Sequence, residues 1–183
     1  DKKIDYKNKI YKNLIQQFAS EIFMPLTIGG SVNTIKDFEF LLSNGADKIV
    51  INSIVNKNPK LIKDASKIYG SQCVVVSIDF VQKNNNFFIV NNKSKIKVKI
   101  EDYIKRLSDL GAGEIMLTDI DRDGTNKGLN IEVAQKVSEN SLIPIIFSGG
   151  CSVANDFVKS FNKSKIDAIA AGNFFCFKDQ NPL

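Results

Sequence analysis

Short runs of almost unbroken apolar residues, rich in Val and Ile, recur along the chain: MPLTIGG (24–30), DKIVINS (47–53), CVVVSIDF (73–80), EIMLTDID (114–121), IPIIFSGG (143–150) and AIAAGNFF (168–175). Runs this short with no polar face read as strands covered on both sides, the usual state of a parallel sheet. Between them apolar residues return at helical spacing: Ile10/Leu14/Ile15/Phe18, Phe38/Leu41/Leu42, Leu61/Ile62/Ala65/Ile68, Ile104/Leu107/Leu110 and Val133/Val137. Each set makes one apolar stripe on a helix whose other face carries charge. Asn58-Pro59 predicts an N-cap followed by a first-turn proline, and Gly45, Gly70 and Gly111 predict C-terminal stops.

Strand and helix alternate at a step of about 25 residues, which predicts right-handed βαβ units and a parallel sheet. One interval, between the strand starts at 73 and 114, is too long for a single helix. FFIVNNKSKIKVKI (87–100) fills it with alternation around a polar turn, so a β-hairpin is expected after the strand ending at Asp79. The chain also repeats itself. PLTIGGSVNTIKDF (25–38) resembles PIIFSGGCSVANDF (144–157), and each is followed after a helix by ADKIVINS (46–53) or IDAIAAGN (166–173). Such duplication fits the two halves of a (β/α)8 TIM barrel better than an open doubly wound sheet. About six of the eight strands are visible. The expected architecture is therefore an N-terminally truncated barrel, residues 1–183 forming a single partial domain, with a first βα unit and a second strand, roughly 50 residues, before Asp1. KDQNPL (178–183) stops where a last helix is expected to begin.

Composition narrows the chemistry. At 183 residues and 43% hydrophobic content the chain can bury a core. No run reaches the roughly 20 apolar residues of a membrane helix and no signal pattern opens it, so a soluble cytoplasmic protein is expected. The net charge of +5 comes from lysines scattered over helical segments, without the basic block or aromatic platform of a nucleic-acid binder. Three cysteines, Cys73, Cys151 and Cys176, read as free thiols. There is no histidine at all, which removes the commonest general base and the commonest metal ligand. Chemistry must come from carboxylates, lysine, hydroxyls or backbone amides.

In a barrel of this kind the active face lies at the carboxyl ends of the strands. The polar residues collect there: Gly30/Ser31, Asn52/Ser53, Asp79, Asp119/Asp121/Asp123/Gly124, Ser148/Gly149/Gly150 and Gly172/Asn173. Strand parity groups Asn52 with Val50 and Lys48, Asp79 with Ser77 and Val75, and Thr118 with Met116 and Glu114. If those sets face inward, Asn52, Asp79 and Thr118 converge at the mouth, with Lys48 and Glu114 at the opposite end. The two Gly-Gly turns, each before a helix, offer unhindered amides and a helix dipole to a phosphate. Coming from the two copies of the repeat, they predict a long ligand with a phosphate at each end; tight strand-to-helix turning is the alternative reading. Asp79 is a candidate general acid or base, or a strand-end cap. In DIDRDG (119–124) Asp121 and Arg122 can pair, while Asp123-Gly124 can open amides to an anion and accept hydroxyl hydrogens.

Six stretches, PLTIGGSV, GADKIVINS, NPKLI, YGSQCVVVSID, GAGEIMLTDIDRDGTNKG and IPIIFSGG, resemble the cyclase subunit family of imidazole glycerol phosphate synthase in order and spacing over nearly the whole chain. The resemblance implies a (β/α)8 barrel of histidine biosynthesis. Such a barrel takes ammonia and a bisphosphorylated formimino-carboxamide ribonucleotide, and needs no metal or redox cofactor. It implies that Asp79 is one of two catalytic aspartates. Gly30, Ser31, Asn52 and Ser53 would form one phosphate site, and Thr118, Asp123, Gly124, Gly149, Gly150, Gly172 and Asn173 the other side. Lys48 and Glu114 match a charged ring that admits ammonia from a glutaminase subunit on the amino-terminal face; solvated strand-start charges are their other reading. The other aspartate and a mobile lysine loop belong to the first βα unit, so residues 1–183 alone are expected to be inactive. Three departures stand out: Ser31 replaces a third glycine, Asp119 replaces a small hydroxyl residue, and GNFFCFKDQNP (172–182) looks more like paralogues that supply ammonia for surface-polysaccharide sugar amidation. That paralogue, and a noncatalytic phosphate-binding barrel, remain alternatives.

Overall fold

A computed structural model describes residues 9–84, 86–91 and 94–176. Along the chain run α1 (Lys9–Glu21), β1 (Thr27–Gly29), α2 (Ile35–Ser43), β2 (Lys48–Ile51), α3 (Ile54–Lys57), α4 (Lys60–Tyr69), β3 (Val74–Lys83), β4 (Asn86–Asn91) and β5 (Ser94–Val98). They are followed by α5 (Ile100–Asp109), β6 (Glu114–Asp119), α6 (Ile131–Glu139), β7 (Ile145–Ser148), α7 (Ala154–Lys163), β8 (Ala168–Ala170) and α8 (Asn173–Cys176). The six strands read from the sequence are all present, parallel and separated by helices, and the fold is that of a partial (β/α)8 barrel.

Two compact units share β3. The first comprises residues 1–76 and 109–113, the second 77–108 and 114–183. In the first, β1 pairs with β2 and β2 with the start of β3, in a register that sets Gly29 beside Val50 and Ile51 beside Val76. Phe38, Leu41, Ile49, Ile51, Leu61, Ile62 and Ala65 form its core, all buried. In the second, β6, β7 and β8 pair in parallel, with Thr118 opposite Ser148 and Ser148 opposite Ala170. Phe80, Phe147, Ile115, Leu117, Ile145, Ile100, Ile104 and Val133 fill that core, Phe80 meeting Phe147 edge-on at 6.1 Å.

The internal repeat is repeated in atoms. Asp37 Oδ2 accepts the amides of Asn33 and Thr34, each at 2.9 Å, and Asp156 Oδ2 accepts those of Ser152 and Val153 at 2.9 and 3.1 Å. Asp47 accepts from the Leu26 amide at 2.7 Å, and Asp167 from the Ile145 amide at 2.8 Å. One aspartate in each copy thus caps a helix, and another ties the start of one strand to the start of the next.

Four local expectations change. Strand β3 does not end at Asp79 but continues to Lys83, because β4 folds back antiparallel with Phe80 opposite Ile89 and Lys83 opposite Asn86. The hairpin β4–β5 lies where predicted, but β3 is itself its first partner. AIAAGNFF is strand only over Ala168–Ala170: Phe174 and Phe175 lie 5.2 and 6.4 Å from the Phe157 ring, and adjacent residues reach one partner from a helical turn, not from a strand. Asn58 does not cap α4 with its side chain. Its backbone closes α3, its amide donating to Ile54 O at 2.7 Å, and α4 starts after Pro59. On α1 only Ile15 of the predicted stripe is buried, while Ile10, Leu14 and Phe18 are exposed. Periodicity shows that an apolar face exists, not what covers it. The expected start of a last helix at 178–183 lies outside the described residues.

Candidate functional site

The acids at 119–123 sort by face. Ile115, Leu117 and Asp119 share the buried side of β6, and Asp119 is only 3% exposed, whereas Met116 and Thr118 on the other side are half-buried. Asp119 therefore braces the loop after β6. Its Oδ1 accepts the Asp121 amide at 3.2 Å, and its Oδ2 accepts Asn130 Nδ2 at 3.3 Å and lies 3.8 Å from Arg122 Nε. Its main-chain oxygen accepts the amides of Arg122 and Asp123 at 3.1 and 2.9 Å. Asn130 in turn caps α6, its Oδ1 accepting the Val133 amide. Burial pushes the Asp119 carboxyl up, against the opposing pull of Asn130, Arg122 and the Asp121 amide. The sequence places Asp119 among the strand-end polar residues and as a departure from the resembled family, without its burial; the alternation Ile115, Leu117, Asp119 is the signal for that.

The loop is then clipped to the next strand's turn. Arg122 Nη1 donates to Gly128 O at 3.2 Å, and the Gly128 amide donates to Gly150 O at 2.7 Å. Gly149 and Gly150 have φ of 108° and 91°. A Cβ on Gly149 would stand 2.5 Å from Asp119 O, and one on Gly150 2.5 Å from Gly128 O. Only glycine fits both the backbone conformation and the closeness of the neighbouring loop.

Together these connections enclose a small hollow lined by Asp123, Gly124, Asn126, Ser148, Gly149, Gly150, Cys151 and Ala170–Gly172. Five sequence-chosen residues, Asp123, Gly124, Gly149, Gly150 and Gly172, meet there from three separate strand-to-helix connections. Asn173 opens α8 beside it. Thr118 lies level with Ser148 in the register, one strand away. Cys151 was not selected; burial, helped by the Asp156 charge, pushes its thiol up to about 11, so it lines the hollow as a neutral group. The α7 dipole is less available than expected, since Asp156 already occupies the amides of Ser152 and Val153. Burial pushes the Asp156 carboxyl up, but those amides and the Ser152 hydroxyl outweigh it, with Lys159 adding, and leave it below the ordinary carboxylate range. Ionised Asp156 therefore contributes stability above the unfolded carboxylate value near 3.9, and loses it as pH falls through the lower folded value. Asp156→Ala is expected to cost about 1 kcal/mol at pH 7, a gap that narrows in denaturant melts below about pH 4.

Asp79 is half-buried at the junction where β3 leaves its parallel partner and enters the hairpin. The Ile120 amide donates to Phe80 O at 3.2 Å, which sets Asp79 beside the carboxyl end of β6. In the first unit Gly30 and Ser31 continue β1 with φ of 96° and 53°, next to Asn52 at the end of β2, and Ser53 precedes α3 without a side-chain cap bond. Ser31 holds a left-handed conformation that costs a non-glycine residue about 1 kcal/mol or more. Ser31→Gly is expected to raise stability by about 0.5 kcal/mol, the glycine's extra unfolded-state entropy offsetting part of the relief, a shift readable by thermal melting. Lys48 and Glu114 are the first residues of β2 and β6, at the strand ends opposite Asn52 and Thr118.

Fold and site together define a (β/α)8-barrel protein with glycine-lined turns at the carboxyl ends of its strands. A family model described as histidine biosynthesis protein matches residues 4–181. An imidazole glycerol phosphate synthase subunit HisF of Clostridium botulinum (strain Okra / Type B1) is 41% identical over 171 residues, covering 91% of this chain and 68% of the relative. The subunit of that name from Flavobacterium johnsoniae is 41% identical over 175 residues, covering 94% and 70%. That of Bacillus cereus (strain Q1) is 37% identical over 166 residues, covering 89% and 66%. The chain belongs to the histidine biosynthesis family of imidazole glycerol phosphate synthase HisF subunits.

Proposed function

We propose that this chain forms the barrel of a cyclase that combines ammonia with a bisphosphorylated formimino-carboxamide ribonucleotide, closing the ring of imidazole glycerol phosphate and releasing an aminoimidazole carboxamide ribonucleotide. The observation that carries this reading is the hollow where Asp123, Gly124, Gly149, Gly150 and Gly172 meet at the carboxyl ends of β6, β7 and β8, in a chain of that family. Among the described residues no basic side chain lines it, so a phosphate is held by main-chain amide dipoles, with Asp123 and Thr118 accepting or donating to ligand hydroxyls. The matching turn, Gly30 and Ser31 with Asn52 and Ser53, takes the second phosphate. On this reading the chain is one barrel domain, and Asp79 moves protons during cyclisation and bond cleavage.

Ammonia enters on this reading from the amino-terminal face past Lys48 and Glu114, delivered by a docked glutaminase subunit. No cofactor is required, and the protein works in the cytoplasm; among the described residues no helix is long and apolar enough to cross a membrane. Residues 1–183 alone, spanning about two thirds of the relatives' length, bind ligand without turnover. The second reading, a sugar-amidating paralogue on the same barrel, rests on the resemblance of GNFFCFKDQNP (172–182) to such paralogues. The test is the full-length protein with ammonia and the bisphosphate substrate. Release of the aminoimidazole product supports the cyclase. Thermal stabilisation by the bisphosphate without product favours a noncatalytic phosphate-binding barrel, and the absence of both responses overturns the cyclase and both phosphate sites.

A further inference from the structure

We infer that Asp119 is a positioning residue for the phosphate hollow, acting through Arg122 and Gly128 on the Gly149-Gly150 turn. This rests on the reading that the hollow takes a phosphate. The path is continuous. The Asp119 carboxylate faces Arg122 Nε at 3.8 Å, Arg122 Nη1 donates to Gly128 O at 3.2 Å, and the Gly128 amide donates to Gly150 O at 2.7 Å. From the same carboxylate, Oδ1 holds the Asp121 amide and Oδ2 holds Asn130, so both ends of the loop carrying Asp123 and Gly124 are tied to one buried group. Gly149 has no room for a side chain here, since a Cβ built on it would stand 2.5 Å from Asp119 O. The loop that supplies one wall of the hollow and the turn that supplies another are therefore held in a single arrangement by one side chain.

A carboxylate that served stability alone would be a poor choice here. Burying its charge is unfavourable, and the folded environment raises its proton affinity instead of lowering it. A raised folded-state value means that the ionised form subtracts from stability as pH rises through it. Asparagine can keep the bond to the Asp121 amide and, although it gives up the acceptor for Asn130 Nδ2, it removes the buried charge, while Arg122, with its side chain 36% exposed, can turn to solvent. The expected signature of Asp119→Asn is an unchanged or higher melting temperature together with a looser hollow.

The experiment is a titration of the 15N-labelled protein with inorganic phosphate, reading the Gly149 and Gly150 amide shifts, alongside thermal melts and, with the full-length protein, steady-state kinetics. Asp119→Asn is expected to weaken phosphate at those amides about tenfold and to raise KM about tenfold with kcat within about threefold, as loss of uniform binding does. Arg122→Gln should reproduce this, and the double variant should be no worse than Arg122→Gln alone, since both act on one path. A large fall in melting temperature for Asp119→Asn, equal phosphate affinity in Asp119→Asn and wild type, or fully additive losses in the double variant each overturn the positioning role and leave the phosphate reading standing. Absence of any phosphate shift at Gly149 and Gly150 in the wild type overturns the phosphate reading itself, and this inference with it.

Discussion

Asp79→Asn is expected to lower kcat of the full-length protein by at least about a hundredfold, the contribution of a positioned general acid or base, while substrate affinity changes less than about threefold. The separation of the two effects follows from placement. Asp79 is half-buried at the seam between the parallel strands and the hairpin, its neighbour Phe80 being the acceptor for Ile120, and it does not line the glycine hollow. Asparagine keeps its volume and polarity, so β3 retains its pairing on both sides and the hollow stays built. Steady-state kinetics with ammonia as nitrogen donor, together with bisphosphate binding, measure both quantities. Turnover surviving within tenfold would remove Asp79 from the chemistry, and a matched loss of binding would make it a binding residue.

Gly149→Ala is expected to be the most damaging small substitution at the site. The added methyl would sit 2.5 Å from Asp119 O, on a backbone with φ of 108° that L residues rarely adopt. Overpacking of 1–3 kcal/mol and backbone strain of similar size combine to roughly 3 kcal/mol or more, equivalent to a drop in melting temperature of roughly 6–12 °C for a chain of this size. Phosphate binding should disappear with it, because the carbonyl that must move is the one holding the Arg122 and Asp123 amides. Gly172→Ala supplies the contrast. It lines the same hollow, but nothing lies within 4 Å of its added Cβ and its φ is not left-handed, so a stability change within about 0.5 kcal/mol is expected. Equal melting temperatures for Gly149→Ala and wild type would remove the steric account of this turn.

Much of the fold is legible along the chain because parallel strands and amphipathic helices leave local signatures. The runs that became β1, β2, β6 and β7 are apolar on both faces, and the helices between them carry a single stripe. The repeat was equally plain, and the structure adds paired caps at Asp37 and Asp156 and paired strand-start ties at Asp47 and Asp167 that were not read from it. That the glycines of the second Gly-Gly turn sit at strand ends with Asp123, Gly124 and Gly172 was legible as well. What escaped was non-local. Whether β3 stopped at Asp79 depended on a partner strand arriving from residues 86–91, and whether GNFF was strand or helix depended on Phe157 in α7.

The order of strands and helices, the duplication and the candidate polar residues were determined by the sequence itself, because periodicity, turn chemistry and missing histidine are properties of neighbouring residues or of composition. Tertiary structure alone decided that Asp119 is buried beside Arg122 and Asn130, while Asp123, four residues on, lines the hollow. The alternation Ile115, Leu117, Asp119 marks the strand face that Asp119 shares, but not whether that face is covered. Its fate is set by which strand face the helices cover, and by a glycine 30 residues later that lets another backbone come within contact distance of it.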